Sequence, residues 1–152
     1  MSNLKTLFVV VLSAFLAAAP VRTPPAGATT TEAKQEARMN LTINGQQFAV
    51  TLADNDTARA FAGLLPLTLK MSELHGNEKY HYLGTRLPSR PENPGRIQAG
   101  DLMLFGDDCV VLFYKDFSTS YSYTRIGRIR SAAGLAGAVG RGAVTAEFDM
   151  AP

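Results

Sequence analysis

From Met39 onward apolar and polar residues alternate with a period of two, and turn signals interrupt the alternation every few residues. A chain written this way makes short β-strands with one buried face, because successive side chains leave a strand on opposite sides. MNLTI and QFAVTL flank Asn44-Gly45, a pair that tolerates positive φ at both centres of a two-residue hairpin. LPLTLKMSEL sets Leu67, Leu69 and Met71 against Thr68, Lys70 and Ser72, which predicts a strand with one wet face. His75-Gly76-Asn77 turns the chain into EKYHYL, the next strand. DLMLF, the Gly106-Asp107-Asp108 turn and CVVLFY form a second tight hairpin, and CVVLFY is apolar on both faces. Such a run fits a strand buried on both sides. YSYTRIGRIR predicts a further strand, with Tyr121, Tyr123 and Arg125 on one face and Ser122, Thr124 and Ile126 on the other. GAVTAEF is the last strand.

Two short helices interrupt the strands. In DNDTARAFAGLL, Ala58, Phe61, Ala62 and Leu65 fall at helical spacing. Asp54, Asn55 or Asp56 can cap that helix, and Gly63 with Pro66 ends it. AAGLAGAVG is a short glycine-rich helix of low intrinsic propensity. RLPSRPENPGRIQAG, with three prolines in 15 residues, is a long surface loop of a length that often carries function. About eight strands is the number at which an antiparallel sheet closes and fills its interior with side chains. The fold class is therefore mainly β, a closed eight-stranded antiparallel barrel with the helices covering its ends. A two-sheet sandwich is the alternative.

The N-terminal segment differs in kind. MSNLK is a short cationic start, TLFVVVLSAFLAAA is an apolar run too short to anchor a chain in a bilayer, and Ala26-Gly27-Ala28 has the A-x-A form. Residues 1–28 read as a cleaved secretory signal, 29–38 as a flexible lead-in and 39–149 as the folded domain. A cut after Ala19 also fits A-x-A but would leave Pro20 at the new terminus, so the cut before Thr29 is preferred. The expected location is periplasmic or secreted, with no membrane attachment after cleavage.

Removing residues 1–28 takes away Lys5 and Arg22, so 15 cations fall to 13 against 13 acids. A formally neutral domain without a basic stripe is a poor nucleic-acid binder. Cys109 is the only cysteine, which excludes an internal disulfide and a thiolate metal site, and its apolar neighbours place it in a buried strand. His75 and His81 are read as surface histidines. No nucleophile elbow, metalloprotease, P-loop or dinucleotide motif is present, and no cofactor or metal is implied.

The best candidates for function are an aromatic-polar set. Glu78, Tyr80 and Tyr82 share one face of their strand, as Tyr121, Tyr123 and Arg125 share one face of theirs, with Lys115 and Asp116 placed to rim them. Tyrosines bring apolar area plus a hydroxyl, and an arginine can fork onto a carboxylate or carbonyl. These residues predict a pocket for a peptide or small molecule, the alternative being ordinary cross-strand aromatic pairing. Oligomeric state is left open.

LPLTLKMSELHGNEKYHYLGTRLP, then NPGRIQAGDLMLFGDDCVVLFYKDFSTSYSYTRIGRI, then the helix and GAVTAEF resemble the short bacterial cyclophilin-like fold proteins over roughly residues 39–149. The resemblance implies the eight-stranded cyclophilin barrel with two helices. It also implies a domain of generally unassigned activity, with relatives that can be joined to flavodoxin-type domains. True cyclophilins carry a Phe-His-Arg segment whose arginine polarises the prolyl amide, where this chain has Tyr80-His81-Tyr82 and no arginine following. Their Gln-Phe-Phe segment and tryptophan are missing too. A ligand-binding barrel without isomerase chemistry is thus expected first, since a fold does not carry its activity with it. The alternatives are a divergent prolyl isomerase using Arg86 or Arg125, and an interaction module for an extracytoplasmic redox protein.

Overall fold

The computed structural model describes residues 20–21 and 34–152. Of the expected signal segment only residues 20–21 fall within the described residues, and of the lead-in only residues 34–38. The hairpin written by Asn44-Gly45 forms as expected, from β1 (Arg38–Ile43) to β2 (Gln46–Leu52). Ile43 pairs with Gln46, so the loop has two residues, and both adopt positive φ, 48° and 78°. Helix α1 (Asp56–Ala62) is capped by Asn55, whose side chain accepts the Ala58 amide at 2.7 Å. β3 (Leu67–Leu74) has the single wet face its alternation predicted: Leu69 and Met71 are buried, Thr68, Lys70 and Ser72 exposed. β4 (Glu78–Tyr82) follows the turn at residues 75–77.

The proline-rich stretch contributes only a two-residue strand, β5 (Arg96–Ile97). β6 (Asp101–Phe105) and β7 (Cys109–Phe113) form the second hairpin, with Phe105 paired to Cys109. A short β8 (Phe117–Ser118) pairs outside the barrel with β5. β9 (Thr124–Ile129), helix α2 (Leu135–Val139) and β10 (Val144–Met150) complete the chain.

Eight strands close in the order β1-β10-β3-β4-β7-β6-β9-β2, every neighbouring pair antiparallel. The closed barrel, not the sandwich, is the fold. The last strand closes it by inserting between the first and third, and closure leaves no unpaired edge. Where β2 meets β9 the backbones approach closely: a Cβ on Gly127 would lie 2.6 Å from the Thr51 carbonyl oxygen. Both helices fill the barrel core, α1 through Ala58 and Phe61 and α2 through Leu135, Ala138 and Val139. The Phe61 ring meets Phe148 of β10 edge-on, with centroids 5.5 Å apart.

β7 explains why CVVLFY is apolar throughout. Val110 and Leu112 point into the barrel core, whereas Cys109, Val111 and Phe113 belong to a second, outer cluster with Ile97, Met103 and Tyr123. The β5–β8 ribbon and its flanking loops cover this outer face. Phe113 packs on Phe117 at 5.6 Å and on Tyr123 at 5.4 Å between centroids.

One strand differs from its expectation. β9 begins at Thr124, so Tyr121 and Tyr123 precede it. The ladder with β6 ends at the pair Leu104–Thr124, and the preceding segment is captured by the proline-rich loop instead. Tyr123 and Glu92 exchange backbone hydrogen bonds of 3.0 and 2.9 Å, and the Asn93 amide donates to the Ser120 carbonyl at 2.9 Å. A bulge at Leu102/Met103 also breaks the period-two pattern inside β9: Ile126 and Ile129 both enter the core and Arg125 and Arg128 both stay exposed, each pair three apart.

Candidate functional site

β4 is a regular strand, so its parity holds: Glu78, Tyr80 and Tyr82 leave it on the outer side, opposite Phe113, Val111 and Cys109 of β7. The segment 117–123 rises beside them, held by β5 and the Glu92–Tyr123 bridge. Between the two lies an open cleft of about 500 Å³ on the outside of the barrel. Glu78, Tyr80, Tyr82, Tyr121 and Tyr123 all line it, together with Phe105, Cys109 and Val111. The rings meet edge-on: Tyr80 and Tyr82 at 6.0 Å, Phe105 and Tyr121 at 6.1 Å. Tyr123 is buried in the wall, but Tyr82 and Tyr121 remain 59% and 64% exposed.

Three residues of the expected set go elsewhere. Arg125 donates to Asp101 at 3.1 Å and lines a separate groove with Thr51, Leu52 and Arg128, because the β9 bulge and the buried Asp101 carboxylate turn it from the tyrosines. Asp101 is held in turn by the Gln98 amide at 2.9 Å. Lys115 is exposed and lies 6.0 Å from the Tyr114 ring centroid, outside the cleft lining. Asp116 accepts the Ala99 amide at 2.9 Å and is likewise no part of the lining. Arg86 sits beside Asp107, 3.5 Å away and mostly exposed.

Some lining residues escaped the sequence reading, and one of them had a signal. A three-residue turn at 106–108 sets Phe105 opposite Cys109, hence on the same outer side as Tyr82 across β7. His75, Asn77 and residues 117–120 had none, since the turn and the excursion before β9 bring them to the cleft only in three dimensions.

Burial raises the Glu78 carboxyl above its ordinary value, with His75 opposing and Glu73 adding to the shift. Burial likewise pushes the Cys109 thiol up to about 11, helped by the charges of Asp108 and Glu78. A thiol so shifted stays protonated at neutral pH and is a poor nucleophile. Among the described residues no group of three or more histidine, cysteine or carboxylate side chains could hold a metal. His81 is turned the other way from the tyrosines, its Nδ1 lying 2.8 Å from the Lys70 carbonyl oxygen. The cleft presents aromatic faces, hydroxyls and one desolvated carboxylate.

Residues 41–149 match the cyclophilin-like family, and the chain belongs to it. Among solved structures it is similar to that of a hypothetical protein of Archaeoglobus fulgidus, at 21% identity and a TM-score of 0.52, over 76% of this chain and 95% of that one. That likeness shows the fold. No match to a curated protein accompanies it.

Proposed function

We propose that this cyclophilin-like protein is an exported ligand-binding module that holds a peptide or small molecule in its outer cleft, without isomerase chemistry. The observation that carries the reading is the convergence of Glu78, Tyr80, Tyr82, Tyr121 and Tyr123 on one recess of about 500 Å³. That volume lies in the range of ligand pockets, which are mostly apolar with a few placed polar groups. Prolyl isomerisation on the cyclophilin pattern needs a cation at the prolyl amide as an electrostatic stabiliser. Neither Arg86 nor Arg125 is among the residues that line the cleft.

NMR exchange spectroscopy with a proline-containing tetrapeptide tests the reading, because uncatalysed cis–trans exchange takes tens of seconds. The expected result is shift changes at cleft residues without new exchange cross-peaks. Cross-peaks that vanish in Arg125→Ala would establish an isomerase and overturn the proposal. Export rests on the MSNLK–Ala28 pattern. N-terminal sequencing of the protein recovered from a bacterial periplasm or medium should read from Thr29.

A further inference from the structure

The ligand-binding reading can be carried to a ligand class, because the cleft is charged with one sign. Among the described residues that line it, Glu78 is the only carboxylate and there is no lysine or arginine. His75, at the turn before β4, is the one imidazole among the described lining residues. Among the described residues no side-chain hydrogen bond or ion pair reaches the half-buried Glu78 carboxylate. The adjacent Lys79 cannot serve, since it leaves β4 on the opposite side and is bound there. Asn77, also in the lining, has a side-chain oxygen that is buried without a hydrogen-bond partner. Two acceptors therefore lack donors in one wall.

The other walls are ring faces. Tyr80, Tyr82, Phe105 and Tyr121 surround the opening in edge-to-face pairs, so rings of differing tilt border one space. The face of an aromatic ring carries negative potential and attracts a cation within about 6 Å of its centroid. Exposed rings in one patch are uncommon on a protein surface without a binding role. An anionic ligand would meet Glu78, and a neutral apolar one would bury that carboxylate further without a partner.

We propose that the cleft takes an organic cation, an ammonium or guanidinium head on an apolar body, with the head against Glu78 and the body among the tyrosines. A free amine and the lysine or arginine side chain of a peptide share this chemistry.

Titrating the isotope-labelled protein with phenethylamine, with phenethyl alcohol, with phenylacetate and with a capped lysine tetrapeptide tests it by amide shift changes at residues 74–82, 105–111 and 117–123. Phenethylamine should saturate these shifts, the alcohol should bind at least about tenfold more weakly and the acid not detectably. Glu78→Gln, which preserves shape, should weaken the amine about tenfold and leave the alcohol unchanged. Tyr82→Leu, at an exposed position, should weaken it as well through loss of the ring face. Saturation by the tetrapeptide at lower concentration than by the amine assigns the cation to a peptide; the reverse order assigns it to a small molecule. Equal binding of amine, alcohol and acid at the cleft would overturn the cationic ligand and leave the binding module standing. Shift changes from none of the four, or shifts confined to other surfaces, would overturn both.

Discussion

Glu78 and Lys79 are consecutive residues of one strand, and their surroundings are opposite. Lys79 points inward with no exposed surface. Its ammonium donates to the carbonyls of Gly140 at 3.0 Å and Gly142 at 2.6 Å, lies 2.5 Å from Glu73, and sits 5.3 Å from the Tyr114 ring centroid. Glu73 in turn accepts the Tyr114 hydroxyl at 2.8 Å and the Gly76 amide at 2.7 Å. Every donor on that ammonium has an acceptor, as a buried charge requires, and the cluster ties the chain after α2 to β4. Glu78, on the outer side, is partly desolvated and has no hydrogen-bonded partner among the described residues. A satisfied buried charge belongs to the architecture. A desolvated one left open beside a cleft is a cost without a structural return, as the proposed binding role would require, since functional sites trade stability for activity.

Substitutions on either side of β4 test this contrast. The largest effect is expected from Lys79→Met, which strands Glu73 and frees the 140–142 carbonyls. It should cost about 3 kcal/mol in urea unfolding, the range for breaking a buried pair. Tyr114→Phe should cost about 1.5 kcal/mol through loss of one hydrogen bond to a charged group.

The same variant should change acid stability. Burial alone would raise the Glu73 carboxyl, but the Lys79, Tyr114 and Gly76 hydrogen bonds outweigh it and hold it below its ordinary value of 4.5. Its contribution is thus fully present above about pH 4.5 and lost as pH falls through the lower folded-state value. Removing the Tyr114 hydroxyl should move the acid unfolding midpoint upward.

The smallest effect, and of opposite sign, is expected at Glu78. Its folded-state value is raised, so it favours the fold at low pH and opposes it once pH passes through that value. Glu78→Gln should therefore stabilise the protein at pH 7 by up to about 0.5 kcal/mol and give no gain at pH 3. A loss of stability at pH 7 would show that Glu78 is a structural group like Lys79, and the contrast would fail.

The cleft was legible in part, and the legible part follows strand regularity. Glu78, Tyr80 and Tyr82 were placed together by alternation alone, and β4 keeps that alternation because it pairs without interruption along β7. Tyr121 and Tyr123 reach the same cleft by another route, held by the proline-rich loop and not by β9. Arg125 was misplaced because a parity argument assumes an unbroken ladder, and a bulge on β6–β9 resets the faces. The buried Asp101, which captures Arg125, gave no local sign of its burial.

Short-range chemistry was therefore settled by the sequence itself: the Asn44-Gly45 turn, a first helix capped from within Asp54–Asp56, the alternation of strands that pair without interruption and the two-faced apolar run of β7. Each depends on residues within a few positions of one another, so the chain states it directly. Only the tertiary structure decided that β10 closes the barrel between β1 and β3, that the 117–123 segment folds over the outer face of β7, and that Lys79 is bound while Glu78 is left open. Those outcomes depend on which distant segments meet, and a period-two pattern fixes how a strand divides its faces without naming what each face will touch.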